Sequence, residues 1–360
     1  MTLIIAEAGV NHNGQEELAF SLVDAAHKAG ADIVKFQTFK AKNLVTEEAK
    51  QAEYQVTNTQ KQESQLAMLS RLELSYESHH KLVKYCESLG IEFLSTAFDL
   101  ESLDFLIHDL GLTRLKLPSG ELTNAPLVLA HARTGRDLIV STGMATLSEI
   151  ETALGVIAFG YIADESAAPS MSGFQKAYAS EAGQKALKEK VIILHCTTEY
   201  PAPMEEINLR AMDTLGRAFD LTAGYSDHSE GITIPIAAAA RGAALIEKHF
   251  TLDKNMEGPD HKASLEPQEL EAMVKAIRQT EIALGSGVKT PTVSEVKNKS
   301  AARKSIVAAT DIEKGEEFTE SSLTIKRPGT GLPPYRYWEL IGTKAKRDFK
   351  AGELIFEKET

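Results

Sequence analysis

Short hydrophobic runs alternate along the chain with longer segments in which apolar residues recur every three or four positions. Runs rich in Ile, Val, Leu and Phe occupy residues 3–9, 33–39, 93–98, 114–121, 137–143, 191–197, 221–228 and 244–251. The intervening segments, such as 16–31 and 77–91, have helical periodicity and end near a glycine, which is a common helix stop. Eight strand–helix repeats predict an α/β fold, the (β/α)8 TIM barrel.

Three segments do not fit the repeat. Residues 160–190 are too long and polar for a minimal barrel loop, so we expect a surface insertion, with a lid as one option. Residues 286–300 are polar and turn-rich and indicate a linker after a barrel domain at 1–285. Residues 301–360 have short hydrophobic runs without long helical periodicity, which predicts a small C-terminal β-rich domain.

Composition narrows the class of protein. The chain has 360 residues, 43% hydrophobic and 25% charged, as is usual for a soluble globular protein. A net charge of −12 argues against nucleic acid as a partner, and an anionic substrate would need a local basic pocket. No apolar run is long enough for a membrane helix. Two distant cysteines suggest neither a disulfide framework nor a thiolate metal site, so we expect a cytoplasmic location.

Polar residues cluster where the predicted strands end, which is where barrel enzymes carry their chemistry. Two of them are histidines, His228 and His249, at the ends of consecutive strands. Neutral imidazoles that converge at a barrel mouth could bind a divalent ion and leave positions open for water and substrate. Structural histidines that are satisfied by hydrogen bonds are an equally good interpretation of the pair.

Lys35 and Lys116 lie inside predicted strands, where a buried ammonium group is costly unless it meets an anion. With Ser119 and Ser226 nearby, they could form a pocket for a phosphate and a carboxylate. Alternatively, each lysine reaches solvent, pairs with a neighbouring glutamate, or forms a Schiff base as in class I aldolases.

Carboxylates and one arginine complete the candidates. Glu7 lies in an apolar strand, where it would pair with a strand lysine or position a water, and Glu121 follows the fourth strand. Asp260, in GPD, is as easily a turn residue. Arg327 begins an RPGTG loop, which alone indicates a hairpin.

Taken in order, these motifs resemble the sialic acid synthase family, which includes N-acetylneuraminate, legionaminate and pseudaminate synthases. The resemblance covers nearly the whole chain apart from 160–190, and it rests on IIAEAGVNHNG, VKFQTFKA, EFLSTAFD, LKLPSGELTN, STGMATLSEI, LHCTTEYPAP, GYSDHSEG, IEKHFTLD, GPDHKASLEP and KRPGTG. It implies a TIM barrel followed by an antifreeze-like (SAF) domain.

The resemblance also implies a reaction. Phosphoenolpyruvate would condense with the open-chain aldehyde of N-acetylmannosamine to give N-acetylneuraminate and phosphate, with Mn²⁺ or Mg²⁺ held by His228 and His249. The alternative is a legionaminate synthase that uses a 2,4-diacetamido-2,4,6-trideoxymannose acceptor. A Schiff-base aldolase and a non-enzymatic carbohydrate- or ice-binding protein are more remote alternatives.

Family roles carry over to matching positions of this chain. The phosphate contacts fall on Lys35, Lys116, Ser119 and Ser226, the substrate contacts on Gln37, Tyr200 and Asp260, and the acidic residues near the reacting carbons on Glu7 and Glu121. Thr198 stands where some relatives have a phosphate-binding Asn. Arg327 would reach the sugar N-acetyl group in the partner subunit's site, which implies a homodimer with swapped C-terminal domains.

Overall fold

The computed structural model describes residues 1–59 and 61–359. In this part of the chain, eight strands pair in sequence order and close into a parallel barrel, the last strand pairing with the first. The strands are β1 (Leu3–Gly9), β2 (Ile33–Thr38), β3 (Glu92–Ala97), β4 (Arg114–Leu117), β5 (Asp137–Ser141), β6 (Val191–His195), β7 (Thr222–Asp227) and β8 (Leu245–His249). Each strand lies within or beside its predicted run, and the TIM barrel is confirmed.

Helices surround the barrel and supply its outer layer. They are α1 (Glu16–Ala29), α2 (Ala41–Leu44), α3 (Glu53–Thr59), α4 (Gln65–Leu72), α5 (Tyr76–Leu89), α6 (Leu100–Asp104), α7 (Ala125–Arg133), α8 (Leu147–Ile162), α9 (Met171–Ala179), α10 (Glu181–Lys190), α11 (Ala211–Phe219), α12 (Thr233–Ala240) and α13 (Pro267–Leu284). None of the helices described has the length and apolar character needed to cross a membrane.

The barrel interior is apolar in its middle layer and polar at the carboxyl ends of the strands. Six buried aliphatic side chains, one from most strands, form an inner cluster: Ile5, Ile33, Leu94, Ile139, Leu194 and Leu245. Side chains alternate between the two faces of a strand, so the next inward position lies two residues further on. Those positions hold Glu7, Lys35, Thr96, Ser141, Cys196 and Glu247. An apolar floor therefore supports a polar layer at the carboxyl ends of the strands.

The insertion at 160–190 packs against the outside of the barrel. Its helices α9 and α10 lie mainly on α8 and on each other. Phe174 of α9 meets Phe159 of α8 edge to face, with ring centroids 5.3 Å apart, and Leu187 of α10 is buried. These contacts bury one side of the insertion in the apolar core that it shares with α8, so the structure does not support the option of a lid.

The described chain divides into two compact units, Met1–Gly285 and a second that begins at Ser286. The polar segment predicted to be a turn-rich linker contains a helix, α14 (Val293–Ala302), whose residues are all exposed. The reason is a capping box that the prediction overlooked, in which Thr292 and Glu295 bind each other's backbone N–H groups.

The second unit has a small hydrophobic core of its own and little helix. Strands β9 (Ser305–Ala308) and β10 (Leu323–Lys326) pair antiparallel, and the short helix α15 spans Tyr337–Leu340. Ile306, Phe318 and Phe349 are among the buried residues that form its core. The small β-rich domain predicted for the C-terminal region is confirmed.

Candidate active site

A cavity of 160 Å³ opens at the carboxyl ends of the barrel strands. Most of the predicted site residues line it, together with neighbours that the prediction did not select: Glu7, Lys35, Gln37, Thr96, Phe98, Lys116, Pro118, Ser119, Gly120, Ser141, Cys196, Thr198, Tyr200, Ser226, His228, Glu247 and His249. A larger cavity of 650 Å³ lies between the loops after β5 and β6 and shares only Cys196 and Thr198 with it. The smaller cavity holds the lysines and the histidine pair, so we take it as the candidate active site.

Glu247 is the centre of the charge network in this cavity. Lys116 Nζ lies 2.8 Å and 3.0 Å from the two oxygens of its carboxylate, and Lys35 Nζ lies 3.5 Å from one of them. Ser226 donates its hydroxyl to Glu247 Oε1 at 2.8 Å. Burial alone would raise the pKa of Glu247, but the two lysines outweigh it and lower that pKa. Glu247 is therefore the ionised partner of both ammonium groups.

Glu7 is the second carboxylate beside Lys35. Its Oε2 lies 2.7 Å from Lys35 Nζ, and Gln37 Nε2 donates to its other oxygen at 3.4 Å. Burial raises the pKa of Glu7 to about 7, with the charge of Glu247 acting in the same direction and Lys35 opposing it. A carboxyl group with this pKa can gain or lose a proton near neutral pH.

His228 and His249 meet at the cavity wall, with ring centroids 5.4 Å apart. His228 Nδ1 lies 2.5 Å from the carbonyl oxygen of Thr197, to which it can only donate, so His228 Nε2 is left with the lone pair of that tautomer. His249 Nδ1 is buried without a hydrogen-bond partner in the described structure. Burial lowers the pKa of both imidazoles, which favours the neutral form that binds metals.

The two imidazoles have the donor chemistry that a divalent ion requires. A fully bonded histidine would leave no orphaned nitrogen, whereas His249 Nδ1 has no partner in the described residues. No group of three or more His, Cys, Asp or Glu residues suited to a metal occurs in the described chain. An ion held by His228 and His249 would therefore keep most of its positions open for water and substrate.

Ser119, Gly143 and Thr198 form a polar corner on the β4 to β6 side of the cavity. The backbone N–H of Gly143 donates to Ser119 Oγ at 2.9 Å, and Cys196 Sγ lies 3.1 Å from the same oxygen. Thr198 Oγ1 is buried and has no partner in the described residues, so it is free to donate to a ligand. A Cβ atom on Gly143 would lie 2.2 Å from Thr198 Oγ1, which explains why this position has no side chain.

Tyr200 covers the histidines. Its ring centroid lies 4.1 Å from that of His228 and 5.5 Å from that of His249, and Tyr54 of α3 packs behind it at 5.1 Å. Asp260 is buried but does not line the cavity. Burial raises the pKa of Asp260 to about 6. Tyr200 therefore lines the cavity beside the histidines, whereas Tyr54 and Asp260 lie outside its lining.

Besides Asp260, the predicted residue Glu121 does not line this cavity, and Arg327 belongs to the second unit. Glu121 lies in the turn after β4, where its carboxylate accepts a hydrogen bond from Asn124 Nδ2 at 2.7 Å, and it is not among the lining residues. Arg327 belongs to the second unit, where it is exposed and donates through Nε to the carbonyl oxygen of Ala302 at 3.1 Å. Its proposed contact with a sugar stays a prediction.

The prediction of site residues missed Glu247, although a signal was present. In the sequence Ile246-Glu247-Lys248-His249, the glutamate lies two positions before the candidate ligand His249. Residues at this spacing share one face of a strand, so an inward His249 implies an inward Glu247. The alternation places Glu247 inside the barrel, whereas its contact with the two strand lysines depends on the closure of the barrel.

Comparison with known proteins gives the family. Residues 22–289 match the model of the NeuB family, and residues 303–359 match that of the SAF domain. The chain is 50% identical to the N,N'-diacetyllegionaminic acid synthase of Campylobacter jejuni over 99% of both chains. It is 44% identical to the enzyme of the same name from Legionella pneumophila, over 98% of this chain and 92% of that protein.

A solved structure supports the same relationship. The N-acetylneuraminic acid (sialic acid) synthetase of Leptospira borgpetersenii is 32% identical, with a TM-score of 0.65 over 82% of this chain and 90% of that one. The chain therefore belongs to the NeuB family, the sialic acid synthase family that its motifs predict.

Proposed function

We propose that this enzyme condenses phosphoenolpyruvate with the open-chain aldehyde of 2,4-diacetamido-2,4,6-trideoxymannose, which gives N,N'-diacetyllegionaminate and phosphate. The choice of acceptor revises the expectation of N-acetylmannosamine, because the two relatives at 50% and 44% identity are named N,N'-diacetyllegionaminic acid synthases. The observation that carries the chemistry is the pair of buried lysines, Lys35 and Lys116, that share Glu247 beside two neutral histidines.

The lysines suit the enol phosphate. Lys116 and Lys35 carry two positive charges into a cavity where the carboxylate of Glu247 is the ionised partner of both. An arriving phosphate and carboxylate would compete for these ammonium groups, and charge-assisted bonds of this kind are strong in a buried site. Ser119, Thr198 and Ser226 add hydroxyl groups at the same rim of the barrel. Together they would hold the phosphate and stabilise its charge as it leaves.

The histidines suit the aldehyde. His228 is fixed in one tautomer by Thr197, and His249 offers an unpartnered nitrogen. A bound Mn²⁺ or Mg²⁺ would supply Lewis-acid chemistry, polarising the aldehyde oxygen while carbon 3 of the enol phosphate attacks its carbon. Tyr200 lies over both imidazoles, so it would exclude water from this side and orient the acceptor.

Glu7 suits the second half of the reaction. After the new carbon–carbon bond forms, water adds at carbon 2 and the bond to phosphate breaks, which leaves a keto group. That water must lose two protons: one leaves with the phosphate, and one must be taken up by a base as the water attacks, which offsets the proton that the new alkoxide oxygen gains. Glu7 has a pKa of about 7 and lies against Lys35, where it can accept the proton of the attacking water. Gln37 binds its other oxygen and keeps the carboxyl group in place. Glu121 lies outside the lining of the cavity, and we assign it no step.

Phosphate release from phosphoenolpyruvate tests the proposal. Purified full-length protein with Mn²⁺ should release phosphate fastest with 2,4-diacetamido-2,4,6-trideoxymannose, and mass spectrometry should identify the diacetylated nine-carbon keto acid. N-acetylmannosamine is the competing acceptor, since the similar Leptospira structure is named for N-acetylneuraminic acid. A higher kcat/KM with N-acetylmannosamine would replace the proposed acceptor while keeping the reaction.

The Schiff-base alternative makes a different prediction. Burial lowers the pKa of Lys116, as a Schiff-base lysine requires, but its ammonium group is bound by both oxygens of Glu247. We expect that borohydride does not trap pyruvate on the enzyme. A trapped adduct at Lys116, together with turnover that releases no phosphate, would favour the aldolase.

The proposal includes a homodimer in which Arg327 of one subunit completes the site of the other. Arg327 is exposed, and its terminal guanidinium nitrogens make no hydrogen bond in the described structure. Such a side chain is available to bind an acetamido carbonyl of the acceptor. Light scattering of the full-length protein should give twice the mass of one chain, and an active monomer would contradict the swapped arrangement.

A further inference from the structure

A second buried ion pair lies behind the two histidines, outside the cavity. Lys248 Nζ is 2.6 Å from Asp227 Oδ2, and both side chains have no exposed surface. Asp227 directly precedes His228, and Lys248 directly precedes His249. Because side chains alternate along a strand, the ion pair points to the outer face of the barrel while the imidazoles point inward. None of the steps proposed above uses this pair.

Asp227 and Lys248 enclose the turn that carries His228. Ser229 donates its backbone N–H to Asp227 Oδ1 at 3.1 Å and its hydroxyl to the same oxygen at 2.8 Å. Lys248 Nζ also donates to the carbonyl oxygen of Ser229. One ammonium group from β8 therefore binds the residues on both sides of His228.

The ion pair is also the last connection between the two strands before the histidines. The register of β7 and β8 ends with Asp227 opposite Lys248, and His228 lies beyond the ladder. Past this point, His228 is held by the β6 loop, through Thr197 and Ala202, and not by β8. The Asp227–Lys248 ion pair therefore joins β7 to β8 immediately before the two imidazoles, and the β6 loop holds His228 beyond it.

A gain in folding stability does not explain why a charged pair is buried on the outer face of β7 and β8. The outer face of neighbouring strand positions is apolar, as at Ala6 and Ile246. Removing two charges from water is costly, and hydrophobic residues of similar volume often stabilise a fold equally well. A buried ion pair does, however, specify one geometry, because its hydrogen bonds are directional and leave no equivalent alternative packing.

We propose that the Asp227–Lys248 pair is a positioning device that sets the distance and direction of the two imidazoles for a divalent ion. The ring centroids lie 5.4 Å apart in the structure, with the pair in place. The inference rests on the proposed metal site at His228 and His249. It adds two residues that act on the metal only through the histidines that follow them.

Binding of Mn²⁺ to the full-length protein, followed by the electron paramagnetic resonance signal of free Mn²⁺, tests this role. Residues that orient metal ligands typically change metal affinity by about 10- to 100-fold when they are replaced. We expect a Kd increase of that size in Asp227→Asn and in the double variant Asp227→Asn/Lys248→Met. The double variant removes both charges and keeps the side-chain volume, so it avoids a lone buried ammonium group.

Further variants separate positioning from folding. Asp213→Asn removes the carboxylate that binds Arg241 on the outer helices and should leave the Kd unchanged. Thermal unfolding of the metal-free proteins reports stability independently of the metal. Should the double variant not fold, Lys248→Arg keeps the charge and moves the donors, and we expect a raised Kd at a temperature well below the metal-free Tm of that variant.

The outcomes distinguish a failure of the positioning role from a failure of the metal site. His228→Ala should abolish Mn²⁺ binding, which tests the proposed metal site itself. An unchanged Kd in the double variant, or in Lys248→Arg if that variant must replace it, overturns the positioning role and leaves the metal site intact. A wild-type protein that binds no Mn²⁺ overturns the metal site, and the positioning role with it.

Discussion

Lys116 and Glu247 face each other inside the barrel, with Lys116 Nζ within 3.0 Å of both carboxylate oxygens. The two residues come from β4 and β8, which are not neighbouring strands, so the contact crosses the interior. Both side chains are only 4% exposed. The barrel therefore uses its central space for a charge pair and not for the aliphatic packing found one layer below.

Replacing Glu247 by Gln tests the importance of this pair. The change leaves Lys116 buried without an anionic partner, and breaking a buried pair costs about 3–5 kcal/mol of unfolding free energy. We expect a loss of this size in urea unfolding and a decrease in kcat/KM of at least about 100-fold, since the lysines would no longer be correctly held.

A matched control is Glu77→Gln on α5. Its carboxylate is 80% exposed and pairs with Lys81 at 3.0 Å, and such surface pairs contribute at most about 1 kcal/mol. Equal stability of Glu247→Gln and Glu77→Gln would show that the interior network is not needed to keep the lysines buried.

The sequence predicts the barrel well because strands and helices each leave a pattern that is visible within a short stretch of the chain. Apolar runs mark the strands, three-to-four spacing marks the helices, and strand ends such as His228 and His249 fall where the architecture requires them. Even so, Glu247 was not selected as a site residue. Its role depends on Lys116 and Lys35, which are distant in sequence, and only the closure of the barrel brings the three together.

Other features escaped prediction because their cause is tertiary or very short-range. The insertion at 160–190 looks polar, yet Phe174 and Leu187 bury it against α8, since a neighbouring helix offers an apolar surface. The helix α14 was overlooked because its only strong signal is the Thr292–Glu295 capping box. Glu121 has the right position after β4, but the following turn directs its carboxylate to Asn124.

His228→Ala and His249→Ala should each abolish turnover and leave the fold intact. Loss of either imidazole removes one of the two protein ligands proposed for the ion, and Lewis-acid stabilisation is worth several kcal/mol, so kcat should fall by at least about 1,000-fold. Phosphate release measures this, and circular dichroism checks the fold. The exposed His108, which pairs with Asp104 at 3.6 Å, provides the control His108→Ala. Full activity with unchanged metal dependence in either site variant would refute the ligand assignment.

Arg327→Ala should raise the KM for the acceptor sugar and leave the KM for phosphoenolpyruvate unchanged. The reason is that the guanidinium group is proposed to bind an acetamido carbonyl, which phosphoenolpyruvate lacks. Lys326→Ala removes the adjacent exposed cation and should have no such effect. A normal sugar KM in Arg327→Ala would count against the arginine.

Mixing Arg327→Ala with the inactive His228→Ala, assayed at a sugar concentration far below the raised KM of Arg327→Ala, tests whether Arg327 acts across subunits. If Arg327→Ala and His228→Ala chains pair at random in a swapped dimer, half the dimers carry one intact site, and activity should return to about a quarter of the wild-type value. If Arg327 instead serves the site of its own subunit, no chain in any mixed or unmixed dimer has an intact site. No recovery after subunit exchange, with exchange itself verified, would place the arginine in its own subunit's site.

Gly143→Ala should weaken the binding of phosphoenolpyruvate. The new methyl group would lie 2.2 Å from Thr198 Oγ1, 2.9 Å from Ser119 Oγ and 3.0 Å from Cys196 Sγ, so at least one of the proposed phosphate contacts must move. We expect the KM for phosphoenolpyruvate to rise by about tenfold, equivalent to about 1.4 kcal/mol. Gly216→Ala, whose methyl group would meet Ala223 Cβ at an ordinary 3.4 Å, is the control. An unchanged KM in Gly143→Ala would indicate that this corner does not hold the phosphate.

Acid should destabilise the barrel through histidines that are buried in the neutral form. Burial lowers the pKa of His131 to about 4, and the pKa values of His12, His79 and His261 are lowered to about the same value, in each case chiefly by burial. The unfolded chain binds a proton at each of these residues near pH 6.5, whereas the folded chain resists it. Stability is therefore fully present above pH 6.5 and decreases as the pH falls towards 4.

His131→Leu isolates one of these contributions. His131 is bound only through Nδ1, to the carbonyl oxygen of Leu127, and its Nε2 has no partner in the described structure. With a pKa of about 4 in the fold, this histidine alone accounts for about 2 kcal/mol of the unfolding free energy lost between pH 7 and pH 5. The loss in His131→Leu, measured by urea unfolding at both pH values, should be smaller than in wild type by that amount. The exposed His27, replaced in the same way, should leave the difference as it is in wild type. If His131→Leu loses as much stability as wild type over this interval, His131 is not the neutral group that acid must charge, and the acid sensitivity of the barrel has another origin.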